Sequence, residues 1–413
     1  MKYAPVFRNP WWVVFGATLG MVVGNTPMIL FTSGLFLKPI TEEFGWSRST
    51  FAGSIFVSQV AGAISMPLIG RLIDRWGIRR VTLPFIALFS LATALLSQTQ
   101  SAFFFLLLYG VCGLAGSGRG PIAYTKAISA WFESRRGIAF GISMTGLGIG
   151  AAVIPQFTRL LIDQVGWRWA YVGLGLIAFA VSFPAVALFI HEPEHLTKSG
   201  AMLGGYVPTE RLSLVESAHF WFLAIAIFLA SASLNGIFAH IVPLLTDRGV
   251  SVELATSILS ISAVTLMVGQ LASGYLLDRF PAKHVAAFFF LLALIGIVSL
   301  SLETKGAAVL GGTCIALGIG AEINLAAYLV SRYFRLARFS EIFGYILAIS
   351  VLASGAGPWL VARSYDVERS YSFAIGGSAV ALTFATILIF GLGKYSPPTK
   401  IMLSEKSEPI HQQ

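Results

Sequence analysis

The chain carries little charge. Asp, Glu, Lys and Arg together make up 11% of its 413 residues, whereas hydrophobic residues make up 56%. An average soluble domain has roughly 25% charged residues, and a soluble core cannot hide this much apolar surface. The composition therefore excludes a soluble globular protein and indicates a membrane protein.

Cysteines and catalytic motifs are also scarce. Cys112 and Cys314 are the two cysteines, and both lie inside apolar segments, so we expect no disulfide, no thiol chemistry and no metal site. The sequence has no P-loop, no nucleophile elbow and no Cys/His metal spacing. These absences exclude ATP as the energy source within this chain and predict a protein that is not an enzyme and needs no cofactor.

The N-terminus has no small-residue cleavage site of the kind that ends a secretory signal. Lys2, Arg8, Trp11 and Trp12 precede an apolar stretch that is too long for such a signal. We therefore predict that this stretch is the first membrane span.

Apolar stretches of about 20 residues recur along the whole chain. At about 1.5 Å per residue, each is long enough to cross roughly 30 Å of hydrocarbon. We predict an all-α membrane protein with twelve transmembrane helices, near 11–36, 49–72, 80–98, 102–130, 137–162, 168–190, 217–244, 252–277, 284–302, 306–331, 341–362 and 371–393.

The net charge of +9 does not indicate a nucleic-acid partner, because the basic residues lie in short clusters between apolar runs. The dense clusters all fall on one side of the predicted membrane: Arg71, Arg75, Arg79 and Arg80; Arg135 and Arg136; Arg332, Arg335 and Arg338. The positive-inside rule makes that side cytoplasmic. We expect a multi-pass protein of the cytoplasmic (inner) membrane of the cell, with both termini in the cytoplasm.

The two halves of the chain are repeats of each other. A shift of 204 residues places Gly70 on Gly274, Asp74 on Asp278 and Arg75 on Arg279. We expect an N-terminal six-helix bundle (1–190), a cytoplasmic linker (191–216), a C-terminal six-helix bundle (217–393) and a flexible cytoplasmic tail (394–413). Two parallel repeats are an architecture of secondary transporters, in which the solute binds near the midplane between them.

Two motifs carry a family resemblance. The segment 70–80, GRLIDRWGIRR, resembles the loop between the second and third spans of the major facilitator superfamily, and 274–279, GYLLDR, is a weaker copy. The segment 131–141, WFESRRGIAFG, is similar to its monocarboxylate and oxalate/formate branch. The resemblance implies two pseudo-symmetric bundles that act as a monomer, with gating by these residues: Gly70, Asp74, Arg75, Asp278 and Arg279.

Three ionisable residues fall clearly inside predicted spans, namely Arg119, Lys126 and Glu322. A charge at mid-bilayer costs several kcal/mol unless it faces water or a partner. We expect Arg119 to contact an anionic solute, or else to form a structural pair with Glu322, or to face outward. Lys126 either lies on nearly the same helical face as Arg119 and serves the site, or extends to the cytoplasmic surface. Glu322 is the candidate for proton coupling.

Further polar residues within the spans are candidates for solute contact or for links between helices. Those favoured for the solute site, together with Arg119 and Glu322, are Asn25, Tyr124 and Asn235. The others are Gln59, His240 and Gln270.

The leading hypothesis is a secondary transporter of a small organic anion, specifically a monocarboxylate, which works by proton symport or by exchange for a counter-anion. If Arg119 and Glu322 neutralise each other, the alternative is an exporter of amphipathic or hydrophobic compounds in exchange for protons. A solute sensor of the same shape is a third interpretation. The partners of the transporter would be the solute, protons or a counter-anion, and the lipid bilayer.

Overall fold

The computed structural model describes residues 9–193, 218–302, 304–334 and 336–393. These residues are almost entirely helical. We number the spans α1 (Trp11–Phe44), α2 (Arg48–Trp76), α3 (Ile78–Leu95), α4 (Ala102–Trp131), α5 (136–165), α6 (167–189), α7 (Ala218–Ala239), α8 (Val252–Leu277), α9 (Ala282–Ser299), α10 (Lys305–Tyr333), α11 (Phe339–Glu368) and α12 (Ser372–Gly391).

Spans α5 and α6 form one helical segment of 54 residues, Arg136–Phe189. At about 1.5 Å per residue it would be more than twice as long as the bilayer core is thick. Gly166 interrupts it with φ +80° and ψ 167°, a conformation that a side chain disfavours. Eleven helical segments of the described chain are long and apolar enough to span a membrane, and the break at Gly166 makes them twelve spans, as the sequence predicts.

The sequence predicts the first span near 11–36, whereas in the structure this span extends to Phe44 and is interrupted. It consists of Trp11–Val22, a π-helical turn Thr26–Leu30 and Ser33–Phe44. Pro27 has no N–H, so the carbonyl four residues earlier, on Val23, loses its helical donor.

Span α4 is interrupted as well, between the helices Ala102–Gly118 and Pro121–Trp131. Gly120 is extended (φ −110°, ψ −157°), and proline at the first position of the second helix needs no N–H donor there. The two helices therefore do not share one helical face across the break. The sequence prediction that Lys126 lies on nearly the same face as Arg119 is wrong for this reason.

The twelve spans form two bundles, α1–α6 and α7–α12, which meet chiefly along α2 against α11 and along α5 against α8. Glycines allow the approach: a Cβ on Gly70 would lie 2.1 Å from the Ser340 carbonyl oxygen, and one on Gly137 would lie 2.2 Å from the Gly274 carbonyl oxygen. Of the predicted linker, only 191–193 belong to the described residues. The predicted tail lies outside them.

Glycine also sets the packing inside the first bundle. Gly113 of α4 lies against α2 so closely that an added Cβ would be 1.9 Å from the Ser58 carbonyl oxygen. Backbone cannot move aside as a flexible side chain can, so this contact depends on glycine.

We expect Gly113→Ala to destabilise the protein by about 1–3 kcal/mol, the usual cost of overpacking a filled interior. Gly355→Ala is the matched control, since an added Cβ there meets nothing within 4 Å. Thermal unfolding of the two purified variants in detergent, followed by circular dichroism, measures the difference. Equal melting temperatures of Gly113→Ala and Gly355→Ala would contradict the close contact between Gly113 and the Ser58 carbonyl group.

Candidate functional site

Asp74, in the last turn of α2, binds the N-terminus of α11 in the other bundle. Its Oδ1 accepts a hydrogen bond from the Ser340 backbone N–H at 3.2 Å, and its Oδ2 accepts one from the Glu341 N–H at 2.8 Å. The first N–H groups of a helix have no partner within the helix and carry its positive dipole end. A carboxylate satisfies both needs, so Asp74 holds the two bundles together.

Ion pairs surround this contact. Arg71 Nε lies 2.7 Å from Glu341 Oε1, and Arg338 Nε lies 3.2 Å from Glu341 Oε2. Arg71 also donates to the Tyr345 hydroxyl at 3.2 Å. Arg71 thus adds a second charged link between α2 and α11.

Asp278, at the end of α8, makes the equivalent contact with α5. It accepts hydrogen bonds from the backbone N–H groups of Gly137 at 2.6 Å and Ile138 at 2.8 Å. Arg136 adds a bond from Nη1 to the Ser331 hydroxyl of α10 at 3.1 Å. The described residues give Asp278 no ion-pair partner, so its contact has fewer charges than that of Asp74.

Asp74 contacts α11 and Asp278 contacts α5 at the same end of the molecule. We call this end the closed end. The predicted gating residues Gly70, Asp74 and Asp278 all lie at this end. Arg75 and Arg279 are exposed, and Arg279 stacks on the Tyr275 ring of its own helix at 4.0 Å. Neither arginine has a recorded contact with the opposite bundle in the described part of the chain.

Arg119 is fully buried at the break in α4. Its Nη2 donates to the Val23 carbonyl oxygen at 2.6 Å and to the Ser182 hydroxyl at 2.7 Å, and its guanidinium lies 4.2 Å from the centre of the Phe89 ring. The Val23 carbonyl is the one that Pro27 leaves without a helical donor. Breaks in α1 and α4 therefore meet at this arginine.

Several polar atoms around this point have no partner. Within the described residues no carboxylate lies within ion-pair distance of Arg119, and its Nε and Nη1 make no hydrogen bond. The Asn25 side-chain oxygen, packed on Gly116, and the Tyr124 hydroxyl, packed on Gly20, are buried and unpaired as well. Among the described residues, Arg119 is thus a cation of the first bundle without a counter-charge, next to two unpaired polar groups.

Glu322 is buried in the second bundle, not beside Arg119. Its Oε1 accepts hydrogen bonds from the Ser231 hydroxyl of α7 and, at 2.8 Å, from the Ser350 hydroxyl of α11. Asn235 donates to the Ser231 carbonyl oxygen at 2.9 Å, one turn further along α7. The structural pair of Arg119 with Glu322, one of the alternatives from the sequence, is not formed among the described contacts.

Lys126 is buried and does not extend to the surface. Its ammonium lies 2.9 Å from Asp74 Oδ1 and donates to the Ile73 carbonyl oxygen at 3.1 Å. Spacing along the sequence carries no sign of this pair, because it joins α4 to the last turn of α2.

The remaining polar candidates are separate from these groups. Gln59 is exposed, and His240 Nε2 lies 3.0 Å from the Pro358 carbonyl oxygen. Gln270 accepts through its backbone carbonyl a bond of 2.8 Å from the Asn324 side chain. The serines that bind Arg119 and Glu322 are absent from the sequence-based candidates, because an isolated serine in an apolar span gives no signal.

Known proteins resemble the whole arrangement. The sequence model described as Major Facilitator Superfamily matches residues 16–358. The uncharacterized MFS-type transporter YhjX of Escherichia coli (strain K12) is 24% identical over 82% of this chain and 84% of its own length. YcxA of Bacillus subtilis (strain 168), described likewise, is 23% identical, over 66% of each chain. Monocarboxylate transporter 11 of Mus musculus is 27% identical over 70% of this chain, and the match covers 65% of that relative.

Two solved structures share the fold. FucP in the outward conformation superposes with a TM-score of 0.73 over 94% of this chain and 99% of that chain. The proton:xylose symporter XylE superposes with a TM-score of 0.70 over 92% and 95%. Each is 14% identical in sequence.

We expect Asp74→Asn to open the closed end more than Asp278→Asn does. Both changes remove a charge that interacts with a helix N-terminus, worth about 1–2 kcal/mol when partly buried, but only Asp74 also loses an ion pair with Lys126. The ratio of closed to open molecules should fall about five- to thirtyfold for Asp278→Asn, and further for Asp74→Asn.

Spin labels at Arg80→Cys and His284→Cys measure this ratio as the distance between the bundles. Both positions are exposed, and the same 204-residue shift relates them. Equal distance distributions in the two aspartate variants and the parent would contradict the role of both contacts.

Proposed function

Because the chain belongs to the Major Facilitator Superfamily, we propose that this secondary transporter carries a small organic anion, specifically a monocarboxylate, by proton symport or by exchange for another anion. We place it in the cytoplasmic membrane as a monomer, with the closed end and both termini in the cytoplasm. The clusters of arginine at the closed end support this orientation through the positive-inside rule. The described conformation then faces outward.

One observation carries the choice of an anion: Arg119 is a buried cation for which the described residues provide no counter-charge. A buried unpaired charge costs several kcal/mol, and such charges inside membranes mark solute pathways. Its unused Nε and Nη1 are N–H donors from which the oxygens of a carboxylate can accept charge-assisted hydrogen bonds.

The backbone around Arg119 supports the same solute. Pro121–Trp131 is an 11-residue helix that begins two residues after Arg119, so its positive dipole end lies next to the backbone of Arg119. Discontinuous helices whose N-termini point at anionic groups are a recurring feature of transporter sites. Asn25 and Tyr124 provide unpaired polar atoms close by.

Glu322 is the coupling residue in this proposal. It is buried and has two serine hydroxyls as partners, with no cationic partner among the described residues. A proton is therefore the counter-charge available to it. Because Ser231 and Ser350 belong to α7 and α11, a change in its protonation bears directly on the packing of three helices of the second bundle.

Distant similarity to a monocarboxylate transporter agrees with the anion proposal. Export of amphipathic or hydrophobic compounds is less well supported, because it requires Arg119 and Glu322 to neutralise each other. Here their hydrogen-bond partners lie in different bundles.

We expect Arg119→Lys and Arg119→Gln to abolish carboxylate binding while the protein still folds. Lysine keeps the charge but not the paired donors of the guanidinium. Purified protein is heated with formate, lactate, pyruvate or oxalate, since a ligand that binds only the folded state raises the melting temperature. Arg159→Gln, which removes an exposed arginine, is the control and should retain the shift.

Two results would sink this proposal. One is an unchanged carboxylate shift in both Arg119 variants. The other is an Arg119→Gln protein that is unstable and becomes stable again on Glu322→Gln, which would make the two residues a structural pair.

We expect Glu322→Gln to abolish accumulation driven by a pH gradient, because glutamine cannot exchange a proton. Uptake into proteoliposomes is measured from pH 5.5 to 8 in the variant and in Glu42→Gln, which removes an exposed carboxylate. If the pH profile of Glu322→Gln matches the wild type, the residue plays no part in coupling. Exchange of one anion for another is then the mechanism to pursue.

A further inference from the structure

Lys126 lies between two carboxylates, those of Asp74 in α2 and of Glu192 after the end of α6. Its ammonium is 2.9 Å from Asp74 Oδ1 and 3.8 Å from Glu192 Oε1. The shorter distance is a hydrogen-bonded ion pair, whereas the longer one is an ion pair without a hydrogen bond. In this closed conformation the ammonium therefore belongs mainly to Asp74.

Glu192 lies where the chain leaves α6 toward the second bundle. We call residues 190–192 the linker root. Arg79 donates to the Ile190 carbonyl oxygen, and Trp131 Nε1 donates to the His191 carbonyl oxygen at 2.5 Å. Burial lowers the pKa of His191. Lys126 and Arg79 are cations that contact the root within the described residues. The root is thereby docked on α3 and α4.

Opening the closed end changes the two carboxylates differently. Asp74 loses the Ser340 and Glu341 N–H groups, which belong to the other bundle, and gains water in the opened cleft. Its attraction for Lys126 weakens as the local dielectric rises. Glu192 lies in the linker root, which is docked on α3 and α4, so it stays near Lys126 of α4 through the movement.

We propose that Lys126 is a positioning residue whose ammonium passes from Asp74 to Glu192 when the closed end opens. In the closed state it neutralises Asp74 beside the N-terminus of α11. In the open state it forms a direct ion pair with Glu192 and fixes the linker root to α4. The competition between the two carboxylates then sets the balance between the two states.

The test is a double-mutant cycle of Glu192→Gln and Lys126→Met, with Lys126→Arg as the variant that keeps the charge. The readout is the alkylation rate of Ser340→Cys, because Ser340 is buried at the closed end and reacts only in open molecules. Cys112 and Cys314 are also buried, and the parent without Ser340→Cys measures their background. The assay needs no solute, so its result is independent of the anion proposal.

Glu192→Gln should slow alkylation at least threefold, because the open state loses its ion pair. The effect should persist with Lys126→Arg and disappear with Lys126→Met. Glu133→Gln, which removes an exposed carboxylate from the neighbouring loop, should leave the rate unchanged. A melting temperature like that of the parent verifies folding of each variant.

Three outcomes would overturn the proposal. An unchanged rate in Glu192→Gln would mean that Glu192 takes no part. A faster rate would make Glu192 a component of the closed contact. An equal effect of Glu192→Gln with and without Lys126 would show that it acts through another group, such as Arg79.

Discussion

The contact between a carboxylate and the N-terminus of a helix in the opposite bundle governs this conformation. The Asp74 carboxylate binds the N-terminus of α11, and the Asp278 carboxylate binds the N-terminus of α5. Each contact requires a glycine one turn earlier on the aspartate helix, because Gly70 and Gly274 allow the backbones to touch. The charge, the dipole and the missing Cβ act as a unit, which explains why all three recur in both halves of the sequence.

Backbone groups within the membrane also need hydrogen-bond partners. Where a helix is broken, the freed carbonyl needs a donor, because hydrocarbon supplies none. Arg119 donates to the Val23 carbonyl, which Pro27 leaves without a helical donor. The break in α1 therefore uses up one amino group of Arg119 and leaves the rest of the guanidinium without partners. The proposed anion site therefore depends on irregular backbone as much as on charge.

Much of the fold follows from the sequence, since span length, the 204-residue repeat and the basic clusters each report on the membrane. The helix breaks do not, because Gly and Pro also occur inside helices that remain continuous, such as α2 with Pro67. Whether Arg119 and Glu322 pair with each other across the two bundles could not be derived either. It depends on which way each helix is rotated, and apolar spans with no polar face give little information on rotation. Lys126 has its partner on another helix, which no local pattern reveals.

Arg119 and Glu322 have their partners in different bundles, and this affects the movement of the bundles. If Arg119 and Glu322 were paired across the bundles, every cycle would have to break an ion pair in a low dielectric, at a cost of several kcal/mol. Instead, Arg119 bonds to α1 and α6, and Glu322 to α7 and α11, so both sets of contacts move with their own bundle. The helix Pro121–Trp131 links the proposed solute site to the closed end: Arg119 precedes its first turn, and Lys126 lies about 7.5 Å beyond Pro121 along its axis. A short rigid helix transmits a shift at one end to the other. An anion that draws Arg119 toward itself would therefore move the ammonium that neutralises Asp74, and the charge at the site and the charge at the gate would respond together.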